Sequence, residues 1–363
     1  MTQATPTPTD HGFDETALQA WLTQRVPGFA GPMTITKFAG GQSNPTYKID
    51  TPGCSYVMRA KPGPAAKLLQ SAHAVEREFT VMQALHGSGM PVARMLALCS
   101  DEVVIGRVFF IREYVEGRVL WDPALPGMEP AERSALYREM NRVIATLHTV
   151  PFAERGLSGF GKPGNYLERQ IGRWSKQYRA SVTQPIAEMD ALMDWLPAHI
   201  PASGRDETAC VVHGDYRLDN MIFHPTEPRV LAVLDWELST LGHPLADFSY
   251  HCMVWHVEPS TQRGLEGLDL AALGIPSLDA YIAMYCDQSG LTTPDVLRAD
   301  WSFYMAYNLF RLAAIAQGIA KRVEAGTASS AQAKAAGASA APRARRAWGW
   351  AQQAQQAQQA RQA

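Results

Sequence analysis

The feature that most constrains this chain is a pair of short apolar runs, each of which leads directly into a carboxylate. The run Cys210–Val212 leads into a His-Gly-Asp triplet that ends at Asp215, and Asn220 follows after four intervening residues. The run over residues 230–234 leads into Asp235. Two carboxylates and an amide supply the oxygen atoms needed to accept a proton from a hydroxyl and to bind Mg²⁺.

The segment between the two runs predicts how their ends meet. Met221–Phe223 is apolar and starts a strand, while residues 224–229 contain two prolines and predict a hairpin turn. The second run then returns along the hairpin. We therefore expect Asp235 to come back beside Asn220, which would bring three oxygen-bearing side chains to one point.

Composition and charge exclude several classes of protein. The 363 residues are 46% hydrophobic and 19% charged, as in an ordinary globular enzyme, and a net charge of −2 gives no basic field for nucleic acid. The five cysteines are scattered without a Cys-x-x-Cys pair, which predicts a reduced, cytoplasmic protein with no zinc site. No uncharged apolar run reaches about 18 residues, so we expect no membrane span.

Hydrophobic periodicity divides the chain into four segments and predicts an α+β fold. Residues 1–29 form an N-terminal extension, and residues 30–115 form a small lobe with an antiparallel sheet and one helix at 73–86. The predicted strands of this lobe cover residues 33–38, 46–49, 55–59, 95–99 and 103–108, and a last strand starts at Phe109 and runs into the Glu-Tyr-Val segment at 113–115. Residues 116–324 form a larger, mainly helical lobe, which contains the catalytic and acceptor sites.

The last segment, residues 325–363, is rich in alanine and glutamine. Its composition fits a helix, an oligomer contact that would make the chain a homodimer, or a disordered tail. We expect little chemistry from it.

A glycine-containing hairpin is predicted over residues 40–45. Gly41 and Ser43 lie at its tip, where backbone N–H groups can approach phosphate oxygens closely. The hairpin lacks the third glycine of Gly-x-Gly-x-x-Gly, and Pro45 has no N–H. A plain hairpin without a ligand therefore stays an alternative.

The order of these features resembles the aminoglycoside phosphotransferase and choline kinase branch of the protein-kinase-like fold. That branch carries His-Gly-Asp where protein kinases carry His-Arg-Asp, and a motif such as the Leu-Asp-Trp-Glu at 234–237 where they carry Asp-Phe-Gly. The resemblance covers about residues 30–320. It implies a two-lobed fold that transfers the γ-phosphoryl group of ATP to a small-molecule hydroxyl with Mg²⁺.

The resemblance also implies roles for individual residues. Asp215 would position and deprotonate the acceptor hydroxyl, and Asn220 and Asp235 would bind Mg²⁺. Arg217 lies two residues after Asp215, where protein kinases place a lysine, and would stabilise the transition state.

The nucleotide-binding residues implied by the resemblance lie in the small lobe. Arg59 stands where kinases usually carry a lysine and would hold the ATP phosphates together with Glu78. Lys61 is the rival cation, and Glu76 is the rival carboxylate.

The predicted link between the lobes would bind adenine through its backbone. The carbonyl of Glu113 and the N–H of Val115 are the expected pair. Arg112 stands at the deep end of this link, where an apolar residue is usual, so the choice between ATP and GTP stays open.

A closer resemblance is to the kinase-like domains fused to, or encoded beside, acyl-CoA dehydrogenases. The segments that carry it are GQSNPTY at 41–47, VMR at 57–59, GKPGNY at 161–166 and HGDYRLDN at 213–220. It implies a hydroxy acid or a hydroxyacyl-CoA as the acceptor and a functional link to an acyl-CoA dehydrogenase. No segment of this chain is long enough to be the flavin dehydrogenase itself.

Two other functions remain open on the residues alone. An aminoglycoside-type antibiotic kinase would need an acidic cleft for its cationic acceptor, whereas the predicted helix at 166–178 carries Arg169, Arg173 and Lys176. Those three charges also fit a solvated helix face. A catalytically silent nucleotide-binding pseudokinase would lack one of the three catalytic and metal-binding side chains, and all three are present. A protein kinase would carry His-Arg-Asp and an Ala-Pro-Glu segment.

Overall fold

A computed structural model describes residues 11–38, 44–62, 75–205, 208–259, 264–327 and 332–362. The chain forms two compact units. The first combines the residues up to His86 with Val92–Glu116 and Asp235–Glu237, and the second contains Gly87–Pro91, Gly117–Leu234 and the residues from Leu238 onward.

The first unit is a five-stranded antiparallel sheet with two helices. Its elements are α1 (Glu15–Arg25), β1 (Thr34–Lys37), β2 (Thr46–Asp50), β3 (Ser55–Ala60), α2 (Val75–Leu85), β4 (Met95–Cys99) and β5 (Phe109–Glu113). The strand order is β1-β2-β3-β5-β4, and each neighbouring pair is antiparallel.

The alternation of side chains along β5 gives this sheet two apolar faces. Phe109 and Ile111 pack with Leu18 and Leu22 of α1 on one face. Phe110 packs with Val75, at the start of α2, on the other. Helix α1 therefore covers one face of the sheet at β5, and helix α2 covers the other.

One predicted strand is wrong. Residues 103–108 form turns before β5, although the sequence there is apolar. The Asp101 carboxylate accepts a hydrogen bond from the Val103 N–H, and Gly106 adopts φ 76, which ends the extended chain. Val103 is 90% exposed as a result. The predicted helix at 73–86 is confirmed as α2, and its first two residues lie outside the described ranges.

The second unit is mainly helical and contains two small antiparallel ribbons. Its strands are β6 (Cys210–Val212), β7 (Met221–Phe223), β8 (Val230–Val233) and β9 (Thr240–Gly242), with β6 paired to β9 and β7 paired to β8. Its helices are α3 (Pro130–Thr149), α4 (Tyr166–Ser181), α5 (Ala187–Ala198), α6 (Ala202–Arg205), α7 (Pro244–His251), α8 (Leu270–Leu273), α9 (Leu278–Ser289), α10 (Pro294–Glu324), α11 (Ala333–Ala338) and α12 (Ala340–Gln362). The predicted hairpin of β7 and β8 and the α+β class are both confirmed.

Helix α10 is the scaffold of the second unit. It begins with Thr293, whose hydroxyl accepts a hydrogen bond from the Val296 N–H, and with Pro294 in its first turn. Its 31 residues span about 46 Å. It packs against α4, α5, α7, α9, α11 and α12, so it is buried on most of its circumference along its middle.

The alanine-rich segment forms α11 and α12, and both helices pack against α10. The alanines that α12 buries are Ala340, Ala344, Ala347 and Ala351, which recur at helical spacing. Gly337 of α11 lies so close to α10 that an added Cβ would stand 2.8 Å from the Ala320 Cα. Small side chains thus let these helices approach closely. Among the described helices, none is long and apolar enough to cross a membrane.

Candidate active site

The loop after β6 is held by a buried carboxylate from the start of α7. The Asp247 oxygens accept hydrogen bonds from the backbone N–H groups of His213 and Gly214, both at 2.8 Å. His148 lies 3.2 Å from the same carboxylate, and its other ring nitrogen lies 2.7 Å from the Tyr285 hydroxyl. Burial would raise the pKa of Asp247, but the contacts from His148 and His213 outweigh it and lower the pKa. Asp247 therefore braces the loop.

His213 and Gly214 shape the loop rather than contact a substrate. The Nε2 atom of His213 lies 2.8 Å from the Leu234 carbonyl, and its Nδ1 atom accepts a hydrogen bond from the Asp215 N–H at 3.2 Å. These partners fit the neutral ring with its proton on Nε2. Gly214 adopts φ 82, and a Cβ there would stand 2.9 Å from the Leu238 carbonyl oxygen. A His-Arg-Asp sequence would therefore clash in this loop.

The Asp215 side chain is held in one orientation by three neighbours. Its Oδ1 accepts a 2.6 Å hydrogen bond from the Tyr250 hydroxyl and lies 3.2 Å from the Arg217 Nε. Its Oδ2 accepts a 3.1 Å hydrogen bond from the Asn220 Nδ2, which also donates to the Asp215 carbonyl. Three predicted site residues, Asp215, Arg217 and Asn220, therefore come together.

A buried arginine from α10 supports the same loop. Arg311 donates a hydrogen bond to the Gly214 carbonyl, and its guanidinium lies over the rings of Trp174 and Tyr250, 5.7 and 5.0 Å from their centroids. Burial would lower the pKa of Arg311, but the field of Tyr250 and other groups, including Asp215, raises it. Arg311 therefore keeps its positive charge beside the loop.

A cavity of about 360 Å³ opens beside these residues in the second unit. Arg217 and Tyr250, which both contact Asp215, form part of its wall. The apolar side chains of its wall include Met140, Leu218, Val254, Leu309 and Leu312, and Arg343 of α12 lies among them. The cavity has the size and the mixed apolar and polar lining of a small-molecule site.

The first unit holds a separate cluster of charges around Arg59, which we call the Arg59 cluster. The Arg59 guanidinium lies 3.2 Å from Glu78, 2.8 Å from Asp235 and 3.2 Å from Glu237. Asp235 adopts φ 65, a left-handed conformation that is uncommon outside glycine. The strand before Asp235 ends in a sharp turn, and that turn directs its carboxylate to Arg59.

The Arg59 cluster contains more negative than positive charge. Burial opposes the charge of Arg59, but its three carboxylates outweigh burial and raise its pKa. Burial raises the pKa of Glu78 to about 7, and the charges of Asp235 and Glu237 add to this effect while Arg59 opposes it. The two shifts agree physically, because one guanidinium is shared among three carboxylates and satisfies none of them fully.

The choice of Glu78 over Glu76 as the partner of Arg59 agrees with the geometry. Lys61 instead pairs with Glu76. Asn44 completes the buried side of the cluster, because its Nδ2 donates a hydrogen bond to Glu78 at 3.2 Å. The two predicted phosphate-loop residues, Gly41 and Ser43, lie outside the described residues.

The predicted adenine-binding link begins at the end of β5. The Glu113 carbonyl accepts a 3.2 Å hydrogen bond from the Arg112 guanidinium, and the Glu113 carboxylate accepts one from the Arg94 N–H at 2.8 Å. Burial lowers the pKa of Arg112 to about 10, with Arg59 adding to the effect. Val115 follows two residues later, outside any helix or strand. The expected acceptor of Glu113 thus already faces one donor, which the unusual Arg112 supplies.

The metal-binding prediction rests on two oxygen donors. Among the described residues, no group of three or more His, Cys, Asp or Glu side chains is arranged to hold a metal ion. Mg²⁺, however, is usually held by one or two protein oxygens together with water and substrate phosphates. The Asn220 amide directs its nitrogen to Asp215, which leaves its oxygen for a cation. Asp235 uses Oδ1 for Arg59, which leaves Oδ2. The chemistry of both donors fits Mg²⁺.

The sequence analysis did not identify four of the side chains that lie in the Arg59 cluster, around Asp215 or in the wall of the cavity. Glu237 was visible, since it ends the Leu-Asp-Trp-Glu motif. Arg311 gave a signal too, because a charged residue in an apolar helix needs a reason to be buried. Tyr250 lies three residues after Asp247, and Arg343 lies in the segment from which we expected little chemistry. Neither carries a local signal.

The chain matches the model of a family described as the phosphotransferase enzyme family over residues 34–299. It is 48% identical over 305 residues to acyl-CoA dehydrogenase family member 10 of Mus musculus, a match that covers 84% of this chain and 28% of that protein. It is 41% identical over 339 residues to the probable acyl-CoA dehydrogenase IBR3 of Arabidopsis thaliana, covering 89% of this chain and 40% of that protein. The chain thus spans well under half the length of these relatives.

Solved structures give the same family and fold. A protein of Ralstonia eutropha JMP134, described as a candidate aminoglycoside phosphotransferase, is 58% identical with a TM-score of 0.85, covering 94% of this chain and 99% of that one. Choline kinase of Cryptosporidium parvum is 10% identical with a TM-score of 0.59, covering 94% and 96% of the two chains, and shows the fold alone. The protein-kinase-like fold is therefore confirmed, and the chain belongs to the phosphotransferase enzyme family.

Proposed function

We propose that this protein transfers the γ-phosphoryl group of ATP to a hydroxyl group of a small molecule, with a hydroxy acid or its CoA thioester as the acceptor. The observation that carries the proposal is the Asp215 carboxylate, which Tyr250, Arg217 and Asn220 hold in one orientation beside a cavity of ligand size. A carboxylate so placed can orient a hydroxyl and accept its proton.

The proposed step balances as a simple exchange. The acceptor oxygen forms a bond to the γ-phosphorus, the bond from that phosphorus to the bridging oxygen of ADP breaks, and the acceptor proton passes to an oxygen of Asp215. Arg217, 49% exposed and 3.2 Å from Asp215, would stabilise the transferred group with its guanidinium. Arg311 keeps the loop under Asp215 in place.

The nucleotide roles of the Arg59 cluster are part of the proposal. Arg59 would bind the ATP phosphates, with Glu78 fixing its orientation, and Glu113 and Val115 would bind the base. Asn220 and Asp235 would bind Mg²⁺, which neutralises phosphate charge when it is bound. The excess of carboxylates around Arg59 supports a cation in this region.

The lining of the cavity supports an acceptor without positive charge. Its charged side chains are Arg217, Asp219 and Arg343, and the His251 ring is neutral at pH 7 because burial lowers its pKa to about 4. Together with Asp215 beside the cavity, two aspartates balance two arginines, so the acidic excess that a cationic aminoglycoside would need is missing. Relatives named as acyl-CoA dehydrogenases point the same way, toward acyl chemistry.

The test is ADP release from Mg-ATP with 4-hydroxypentanoyl-CoA as the acceptor. We expect release by the wild type and a loss of about 10²- to 10⁴-fold in kcat for Asp215→Asn, because the proton acceptor is removed. Asp295→Asn is the matched control, since Asp295 is 96% exposed and should leave the rate unchanged. ATP binding by each variant shows that the site remains folded.

Three other outcomes would contradict the proposal. Release with kanamycin but not with hydroxyacyl acceptors would make this an antibiotic kinase. ATP binding without release on any acceptor would make it a silent nucleotide-binding protein. Full activity of Asp215→Asn would remove Asp215 from the mechanism.

A further inference from the structure

Arg343 of α12 lies in the wall of the cavity beside Asp215, although it is more than 120 residues away in sequence. Helix α12 holds it there through two contacts besides the alanine stripe on α10. Trp350 packs edge-on against His256 with 4.9 Å between ring centroids, and Arg346 pairs with Glu266 at 2.7 Å. Arg343 therefore has a fixed place in the fold.

Arg343 is the cavity's uncompensated cation. The other arginine in the wall, Arg217, already pairs with Asp215 and with Asp219, the latter at 3.1 Å. Within the described part of the chain, no carboxylate forms an ion pair with Arg343. Burial lowers the pKa of Arg343, while its interaction with Tyr250 opposes that effect.

The position of Arg343 does not serve the stability of the fold. It is partly buried without a carboxylate, which costs desolvation energy. It also lies in the first turn of α12, the end of a helix at which a positive charge gains nothing from the helix dipole. A partly buried guanidinium that has no carboxylate partner among the described residues is suited to an anionic ligand.

The lining of the cavity indicates what kind of anionic ligand would fit. Most of the wall between Tyr250 and Arg343 is apolar, with Leu309 and Leu312 from α10 and Met253 and Val254 after α7. A second cavity of about 210 Å³ shares Arg343 with the first and contains Arg346, Trp350 and Glu258. Arg343 therefore stands where the two cavities meet, so a ligand bound to it could end there or continue beyond it.

Building on the proposed function, we propose that Arg343 is the anion-recognition residue of the acceptor site. The acceptor is then a molecule with a short apolar chain, a hydroxyl that reaches Asp215, and a negative group that binds Arg343. A free carboxylate and the phosphates of a CoA thioester share this chemistry. The first would end at Arg343, and the second would extend into the neighbouring cavity.

The test compares acceptors that differ in charge, using the 363-residue chain. Isothermal titration calorimetry would measure binding of 4-hydroxypentanoate, 4-hydroxypentanoyl-CoA and the neutral 4-hydroxypentanamide to the wild type, Arg343→Ala, Arg343→Lys and Arg345→Ala. Arg345 is exposed on the same turn and lines neither cavity, so it is the matched control. ADP release would give KM and kcat for the same set.

We expect Arg343→Ala to weaken binding of the anionic acceptor by about 10- to 100-fold, the loss typical of a charged hydrogen bond. Binding of the amide should stay the same, Arg343→Lys should restore part of the affinity, and Arg345→Ala should match the wild type. In turnover, KM should rise while kcat changes little. Whichever anion shows the loss, carboxylate or CoA thioester, identifies the group that Arg343 binds.

Failure of this inference is distinct from failure of the proposed function. Equal binding of anion and amide by the wild type, no binding of any of the three, or unchanged anion binding by Arg343→Ala would each overturn the role of Arg343. Anion binding that depends on Arg343 without ADP release would leave that role standing and overturn the proposed reaction.

Discussion

The two units of this protein bury carboxylates in opposite ways. In the second unit, Asp247 accepts hydrogen bonds from two backbone N–H groups and contacts His148, and its pKa is lowered despite burial. In the first unit, Glu78 shares Arg59 with two other carboxylates, and its pKa is raised to about 7. Both side chains are less than 5% exposed, so burial alone does not explain the difference.

The difference lies in the number of donors available to each carboxylate. Asp247 has a donor for each of its oxygens and no competitor, as expected of a group whose task is to hold a loop. The Arg59 cluster has three carboxylates and one guanidinium, and the Asn44 Oδ1 buried beside it has no hydrogen-bond partner within the described ranges. Unsatisfied polar groups are tolerated where a ligand completes them. The comparison thus distinguishes Asp247, whose contacts are structural, from the Arg59 cluster, which is suited to bind a ligand.

The largest expected effect comes from removing the satisfied carboxylate. Asp247→Ala leaves two buried N–H groups and His148 without their partner, and we expect a loss of about 3–5 kcal/mol in the free energy of unfolding. Urea unfolding followed by circular dichroism measures it. Asp279→Ala, at a 74% exposed aspartate on α9, is the control and should change little. A loss below 1 kcal/mol would show that Asp247 does not brace the loop.

A smaller and pH-dependent effect is expected at Glu78. Because the pKa of Glu78 is raised from 4.5 to about 7, its contribution to stability is fully present below about pH 4.5 and is lost as the pH rises through 7. The glutamine in Glu78→Gln does not titrate, so the variant has no contribution from this position that changes with pH. The difference in unfolding free energy between variant and wild type should therefore shift in favour of the variant by at most about 3 kcal/mol between pH 4.5 and pH 8. A flat difference would mean that Glu78 is fully compensated, like Asp247.

The smallest effect is expected at the edge of the same cluster. Glu237 raises the pKa of Glu78, so Glu237→Gln should move the midpoint of that pH dependence to a lower pH, with a stability change of about 1 kcal/mol or less. Glu227→Gln, at an exposed ion pair of the second unit, should leave the midpoint unchanged. A midpoint that stays fixed in Glu237→Gln would show that the carboxylates do not interact.

Much of the fold could be predicted from sequence because its signals are local. Cys210–Val212 and Met95–Cys99 are short apolar runs with clear ends, so both were predicted with their observed bounds. The strand predicted at residues 103–108 is wrong because its apolar residues outweighed the turn signals of Asp101 and Gly106, which fold this segment into turns. Glu78 was preferred to Glu76 as the partner of Arg59 because it stands next to Phe79, an apolar residue of the predicted helix.

The candidate site likewise contains residues that the local sequence predicts and residues that only tertiary packing brings in. Asp215, Arg217 and Asn220 belong to one motif, and the chain alone brings them together. Tyr250, Arg311 and Arg343 reach the same place from α7, α10 and α12, and only tertiary packing puts them there. Their roles, like those of Arg59, Asn220 and Asp235, remain proposals, and the Arg343 variants test one of them.

The alanine stripe on α12 has an energetic consequence for the cavity. Alanine loses almost no side-chain entropy when it is buried, but it also removes little apolar surface from water. Docking of α12 on α10 therefore depends on many close contacts between small side chains, together with the Trp350 and Arg346 contacts, rather than on a few large buried side chains. Since Arg343 is carried on α12, any anion that Arg343 binds must also stabilise the docked helix, so occupancy of the cavity and order of the C-terminal helix are thermodynamically linked.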